Sequence, residues 1–246
     1  MASAQQHVFI PFRFPQAAAL GSQKQGQKIP KETIYQQSNP TSAIKQLFVN
    51  DVEQIVWRYK LSPDTLNVAE SEDVAEIQVF DVHLKPNCRE LDVKVLETLD
   101  RAVPSNIFFR VFNGLQHRPQ VQHAMAYKRE NKRDAGSMVI KEHFLSDWVA
   151  ISKLGELNHA ESKKLPVIIN MATLYNELLR SLLPEPALEG ESIDEQMKRI
   201  AMLNACRNKL TNLQAKQRKE KQYNRRVDMN SEINRLKEQI RSLSGL

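Results

Sequence analysis

A chain of 246 residues with 41 % apolar content is long enough for one large or two small cores and too apolar to stay disordered. The formal charge of +6 permits contact with a polyanion, and no apolar run approaches the length of a membrane span. Cys88 and Cys206 form no C-x-x-C pair, which argues for a reducing compartment and against a disulfide framework or a thiolate zinc site. The start carries an apolar patch at Val8-Phe9-Ile10 with only Arg13 as a positive residue. That is too poorly flanked for a signal peptide, so a cytoplasmic protein is expected.

Along the chain, residues 1–39 form an N-terminal segment whose apolar Val8–Phe12 is expected to pin it to the body. Residues 21–39, rich in Gln, Lys, Gly and Ser, read as a mobile loop with a short ordered piece at Thr33-Ile34-Tyr35. An α+β domain is expected over residues 40–160. Thr41 or Ser42 can cap a helix carrying Ile44, Leu47 and Phe48. Val52–Leu61 is rich in β-formers, and its alternation puts Trp57, Tyr59 and Leu61 on one face, opposite Arg58 and Lys60. After a Ser62-Pro63-Asp64 turn, Thr65–Val68 is expected to return as a hairpin partner. Glu76–Lys85 is the cleanest strand. Glu90–Ala102 has Leu91, Val95, Leu96 and Leu99 at helical spacing and ends before Pro104. Asn106–Phe112 is apolar on both faces and therefore central. Gln120–Arg129 and Val139–Trp148 follow as strands. The order gives an α+β fold: a mainly antiparallel sheet of about five strands with helices on one face.

Residues 161–246 read as helical. Leu165–Leu183 ends at Pro184-Glu185-Pro186, and no glycine or proline occurs from Glu191 to Ser244. Residues 195–246 hold thirteen Lys or Arg against five Asp or Glu, so this tail carries +8 and the rest of the chain −2. It is either one long helix or a hairpin. Leu203, Cys206, Leu210 and Leu213 keep one heptad register, and Ile233, Leu236, Ile240 and Leu243 keep another, with a break expected near Asn230 or Ser231. The second seam must be covered by the first or by another subunit, so a homo-oligomer through Ile233, Leu236, Ile240 and Leu243 stays open.

Motifs for known chemistry are sparse. There is no Gly-rich phosphate loop and no H-E-x-x-H, and the six histidines are scattered, so no metal or cofactor is expected. One enzymatic arrangement remains: a degenerate restriction-endonuclease-like, divalent-metal site of Asp64, Glu76 and Gln78, with Gln where a lysine is needed. The competing reading makes these residues polar positions on the solvent face of a sheet. Two basic clusters could meet phosphates: Lys128, Arg129, Lys132 and Arg133, and Lys216, Arg218, Lys219, Lys221, Arg225 and Arg226 on the helical arm. Solvated surface charge is the alternative.

The series Trp57-x-Tyr59-Lys60-Leu61-Ser62-Pro63-x-Thr65-x-Asn67, Glu76-Ile77-x-Val79-Phe80, Leu99-Asp100-x-Ala102-Val103-Pro104-x-x-Ile107-Phe108-Phe109 and Ala126-Tyr127-Lys128 resembles a bacterial family, domain of unknown function 4391. The closing Lys221-Gln222-Tyr223-Asn224-Arg225-Arg226-Val227-x-Met229-Asn230 is similar to that family's C-terminal signature. The resemblance implies a supporting role beside restriction helicases and DNA methyltransferases. The expectation is a non-catalytic accessory protein of a DNA-restriction or phage-defence system, binding nucleic acid or such an enzyme through its basic arm. A divalent-metal nuclease is the alternative.

Overall fold

The computed structural model describes residues 9–86, 88–115, 117–130, 138–151 and 162–245. It divides into two compact units, residues 1–183 and 184–246. In the first, β1 (Phe12–Arg13) is followed by β2 (Gln27–Ile29), α1 (Lys31–Ser38), α2 (Ser42–Asp51) and β3 (Val52–Leu61). The expected loop over residues 21–39 is thus ordered at β2 and α1. Tertiary contacts supply the reason. Ile34 is buried, Tyr35 meets Phe48 edge-on at 5.5 Å, and the Lys31 ammonium donates to the carbonyls of Phe48 (2.8 Å) and Val52 (2.6 Å) at the end of α2. The Phe48 carbonyl also accepts from the Val52 amide that closes α2, so Lys31 adds a second donor there and ties the start of α1 to the end of α2. Thr41 is the N-cap of α2.

The expected hairpin partner at Thr65–Val68 is replaced by a short helix, α3 (Pro63–Leu66). Ser62 and Thr65 form a reciprocal capping box with Pro63 at the first helical turn, and this local chemistry outweighs the β-propensity of the segment. Then come β4 (Ile77–Leu84), α4 (Val93–Ala102, capped by Asp92), β5 (Asn106–Phe112), β6 (Gln120–Glu130), β7 (Met138–Leu145), β8 (Val149–Ala150), β9 (Lys163–Lys164) and α5 (Met171–Arg180). The main sheet runs β2-β3-β4-β5-β6-β7 with β8 also paired to β6, seven strands where about five were expected. All its pairs are antiparallel except β4–β5, which α4 joins by a crossover. β5 is central and buried along its whole length, as its apolar pattern predicts. A separate pair, β1 and β9, is parallel. The α5 helix starts at Met171, after Pro166, rather than at Leu165. Asn170 accepts from the Thr173 amide at 2.9 Å, and Val167 and Ile169 stay outside the helix and exposed.

One face of the sheet packs against α1, α2 and α4 through Ile34, Phe48, Val95, Leu96 and Leu99, set on Ile55, Phe80, Val82, Ile107, Phe109 and Val111. On the other face the N-terminal segment lays Phe12 and Phe14 on Phe108 (6.4 and 5.9 Å) and Phe9 on His123 (4.6 Å). A bulge between Trp57 and Tyr59 corrects the alternation expected for β3. Trp57 pairs with Phe80 on the helix face, whereas Tyr59 pairs with Val79 and meets Phe14 at 5.2 Å. The extra residue of a bulge shifts every later side chain to the opposite face.

The second unit is a helical hairpin of α6 (Ile193–Lys219) and α7 (Tyr223–Leu243). Ser192 and Glu195 form a capping box at the start of α6. The reversal falls at residues 220–222, ahead of the expected Asn230 or Ser231. Asp228, Asn230 and Ser231 all lie inside α7, where tertiary pairing overrides their capping preference. No helix among the described residues is long and apolar enough to cross a membrane.

Candidate nucleic-acid interface

The hairpin is built from its base outward. Arg199, buried, holds Glu191 with two bonds of 2.6 and 2.8 Å and also donates to the carbonyls of Pro186 (2.7 Å) and Leu243 (3.2 Å). Glu191 raises the Arg199 pKa further, through its hydrogen bonds. Midway, Lys209 reaches Glu232 at 2.6 Å, and near the tip the Gln217 amide donates to the Arg226 carbonyl at 3.4 Å. These three ties fix an antiparallel register that buries Leu203, Ile233 and Leu236 and half-covers Cys206, Leu210, Ile240 and Leu243. Half of the seam offered above for a homo-oligomer, Ile233 and Leu236, is therefore buried inside the chain, and Ile240 and Leu243 stay partly open.

Charge changes character along this arm. Below the tip, four of the seven cations are paired: Arg199 with Glu191, Arg207 with Glu185 (2.7 Å), Lys209 with Glu232 and Arg241 with Glu238 (3.6 Å), while Lys198, Arg235 and Lys237 have no described ion-pair partner and are spread along the helices. At the tip, Lys216, Arg218, Lys219, Lys221, Arg225 and Arg226 are all exposed. Among the described residues only Arg225 has an ion-pair partner, Glu220 at a long 3.9 Å. That acid is otherwise engaged by the Gln222 amide at 2.8 Å. Lys216, Arg218 and Lys219 sit at the C-terminus of α6, where a cation complements the helix dipole. Arg225 and Arg226 sit in the first turn of α7, where the dipole opposes them and where no acid and no side-chain cap is present. Tyr223, 77 % exposed, and Val227 stand beside them. The tip thus offers cations, free helix-start N–H groups and an aromatic face together.

A family model described as Domain of unknown function (DUF4391) matches residues 12–240, nearly the whole chain and both of its units. The chain belongs to this family. No curated protein and no solved structure matches it.

In this DUF4391 protein Lys128, from the other basic cluster, is placed differently from the tip cations. Lys128 points inward: its side chain is 3 % exposed, its ammonium lies 2.8 Å from Asp100 and donates to the Ser105 carbonyl at 3.1 Å. It is corrected from phosphate ligand to buried counter-ion. Arg129 is described only as a backbone position of β6, and Lys132 and Arg133 lie outside the described residues. Asp100 also meets His143 at 2.6 Å, both side chains being almost wholly buried, so α4, β6 and β7 are joined by one carboxylate.

The carboxylates considered for metal chemistry are also engaged. Glu76 accepts from Gln78 (2.7 Å) and Ser105 (3.0 Å) and pairs with Lys60 (2.8 Å). Gln78, buried, accepts in turn from the Trp57 indole at 2.8 Å. Asp64 lies on the exposed side of α3. The structure therefore joins Glu76 to Gln78 but shows no contact of Asp64 with either.

A buried pair that the strand pattern did not single out occupies the opposite face. Arg110 and Asp81 make two bonds of 2.6 Å across the parallel strands. Burial opposes the guanidinium charge, but Asp81 and Tyr59 more than offset it and raise the Arg110 pKa. The signal was one charge in the otherwise apolar Ile107–Phe112: a charge there needs a buried partner.

Proposed function

We propose that this protein is a non-catalytic accessory protein that contacts nucleic acid through the tip of the α6–α7 hairpin. One observation carries the reading: six exposed cations crowd residues 216–226, and all but Arg225 are without a described acidic partner. A sequence tuned only for hairpin stability would place acids, not Arg225 and Arg226, in the first turn of α7. Such cations gain from phosphates by releasing condensed counterions, and the exposed Tyr223 adds a stacking surface. A restriction or phage-defence system, with a helicase or methyltransferase alongside, is the setting that the family resemblance supplies for this contact.

Titration of a fluorescent duplex with the full chain is the test. The protein should bind regardless of sequence, and Arg218→Gln/Lys221→Gln/Arg225→Gln should weaken binding to every duplex alike. Binding that the triple variant leaves unchanged would remove the nucleic-acid part of the reading. With Mg²⁺ or Mn²⁺ the duplex should stay uncut. Cleavage abolished by both Asp64→Ala and Glu76→Ala would replace the accessory reading with a nuclease.

A further inference from the structure

The C-terminal ends of β4 and β5, the parallel pair of the main sheet, open into a cleft of about 590 Å³. Clefts at the carboxyl ends of parallel strands are a common ligand position, because loops from both strands converge there, and this volume suits a drug-sized molecule. The walls are Arg89 and Glu90 from the loop after β4, Asn113, His117 and Arg118 from the loop after β5, Gln120 at the start of β6, and Trp148 between β7 and β8.

The walls are braced from within. The Gly114 amide donates to the Cys88 carbonyl at 2.9 Å, and a Cβ at Gly114 would lie 1.8 Å from the Lys85 carbonyl oxygen, so only glycine lets the two loops approach. Asn113, buried, ties its own loop together: its amide nitrogen donates to the Arg118 carbonyl and to Gln120 (3.3 Å each), and its oxygen accepts from the Gln120 backbone at 3.0 Å. This brace sets the backbone that carries Arg118. Trp148 packs one side against the helix-face core while lining the cleft. Arg89 and Arg118 are exposed, and neither is in an ion pair with a described carboxylate.

We propose that this cleft binds a mononucleotide. Two guanidiniums without a described acidic partner, together with His117, match a phosphate, for which arginine gives paired hydrogen bonds. A phosphate alone would leave most of the volume empty, whereas a base can lie on the indole of Trp148. Glu90 supplies an acceptor for sugar hydroxyls. The described lining of the site belongs wholly to the sheet unit.

Isothermal titration calorimetry of the full chain with AMP, ATP, adenosine and inorganic phosphate tests the assignment. AMP or ATP should bind with a Kd below about 1 mM, and phosphate and adenosine each more weakly by about tenfold or more. Arg89→Gln/Arg118→Gln should weaken nucleotide binding at least about tenfold with an unchanged melting temperature, since both side chains are exposed. Arg89→Gln alone gives the same direction should the double variant misfold. In the wild type, nucleotide should also alter the fluorescence of Trp148, seen as a change absent from Trp148→Phe. No binding of AMP or ATP at several times that concentration, phosphate binding as tightly as AMP, or affinity untouched by the arginine variants would each overturn the proposal.

Discussion

At the centre of the sheet, Arg110 meets Asp81 in a two-bond ion pair against the rings of Tyr59 and Phe112, and Asp100 binds Lys128 and His143 out of contact with water. At the hairpin tip, Lys216, Arg218, Lys219, Lys221 and Arg226 stand in solvent without a described acidic partner. The same residue types do different work. A buried charge is costly without its counter-ion, so the sheet's charges are committed to folding. An exposed charge costs folding almost nothing and keeps its hydration and its field, so the tip's charges are free to meet a polyanion. The rest of the hairpin lies between these limits, with Arg199, Arg207 and Lys209 paired with acids of the same unit.

Breaking a buried pair should give the largest effect. Asp81→Ala leaves Arg110 charged and unpartnered and should cost about 3–5 kcal/mol in urea unfolding. Phe108→Ala, which removes packing without touching charge, should cost a comparable 3–5 kcal/mol or so. A loss under about 1 kcal/mol in either variant would show that this face of the sheet is solvated and peripheral.

The next effect is read with pH. His123 is fully buried, neither ring nitrogen has a partner among the described residues, and burial together with the nearby Arg110 pushes its pKa well below the ordinary value. Burial lowers the His83 pKa as well. Because the folded-state values are depressed, the unfolded chain takes up protons first. The stability is therefore whole above pH about 6.5 and falls as the pH drops below it, by up to about 1.4 kcal/mol per unit for each such histidine. His123→Phe should flatten the slope between pH 6.5 and 5, and an unchanged slope would mean that His123 is hydrated or protonated in the fold.

The smallest effect on folding should come from the tip. Arg218→Gln/Lys221→Gln/Arg225→Gln should move the unfolding midpoint by no more than the equivalent of about 0.5 kcal/mol per site. A larger loss would mean that these side chains are structural after all.

Much of this contrast was legible in the sequence, and the reasons for the gaps are local. Strand and helix periodicity located α2, β3, β4, α4, β5 and β6, and the +8 tail marked the arm. The fate of Lys128 was not legible, because it depends on Asp100 arriving from a helix distant in sequence and on the strand register that turns the side chain inward. Nothing in Trp57-Arg58-Tyr59 announces a bulge, since alternation survives in the sequence while the backbone changes faces. The hairpin's reversal was misplaced because residues 214–226 are strong helix formers without glycine or proline, and the turn is set by pairing between the helices. Within the candidate sites, the tip cations were visible as composition, whereas the cleft beside Trp148 is assembled from three loops that no spacing connects.

The most direct measurement compares two charge-matched variants of the hairpin. One removes tip cations (Arg218→Gln/Lys221→Gln/Arg225→Gln) and the other removes paired cations nearer the base (Arg207→Gln/Lys209→Gln/Arg241→Gln). Duplex affinity is followed as a function of salt. The tip variant should lower the slope of log K against log salt by up to about 0.9 for each lost phosphate contact, and the base variant should leave it near the wild-type value. Equal reductions in both would make the attraction a matter of net charge alone, and no reduction in either would contradict the tip as the nucleic-acid contact.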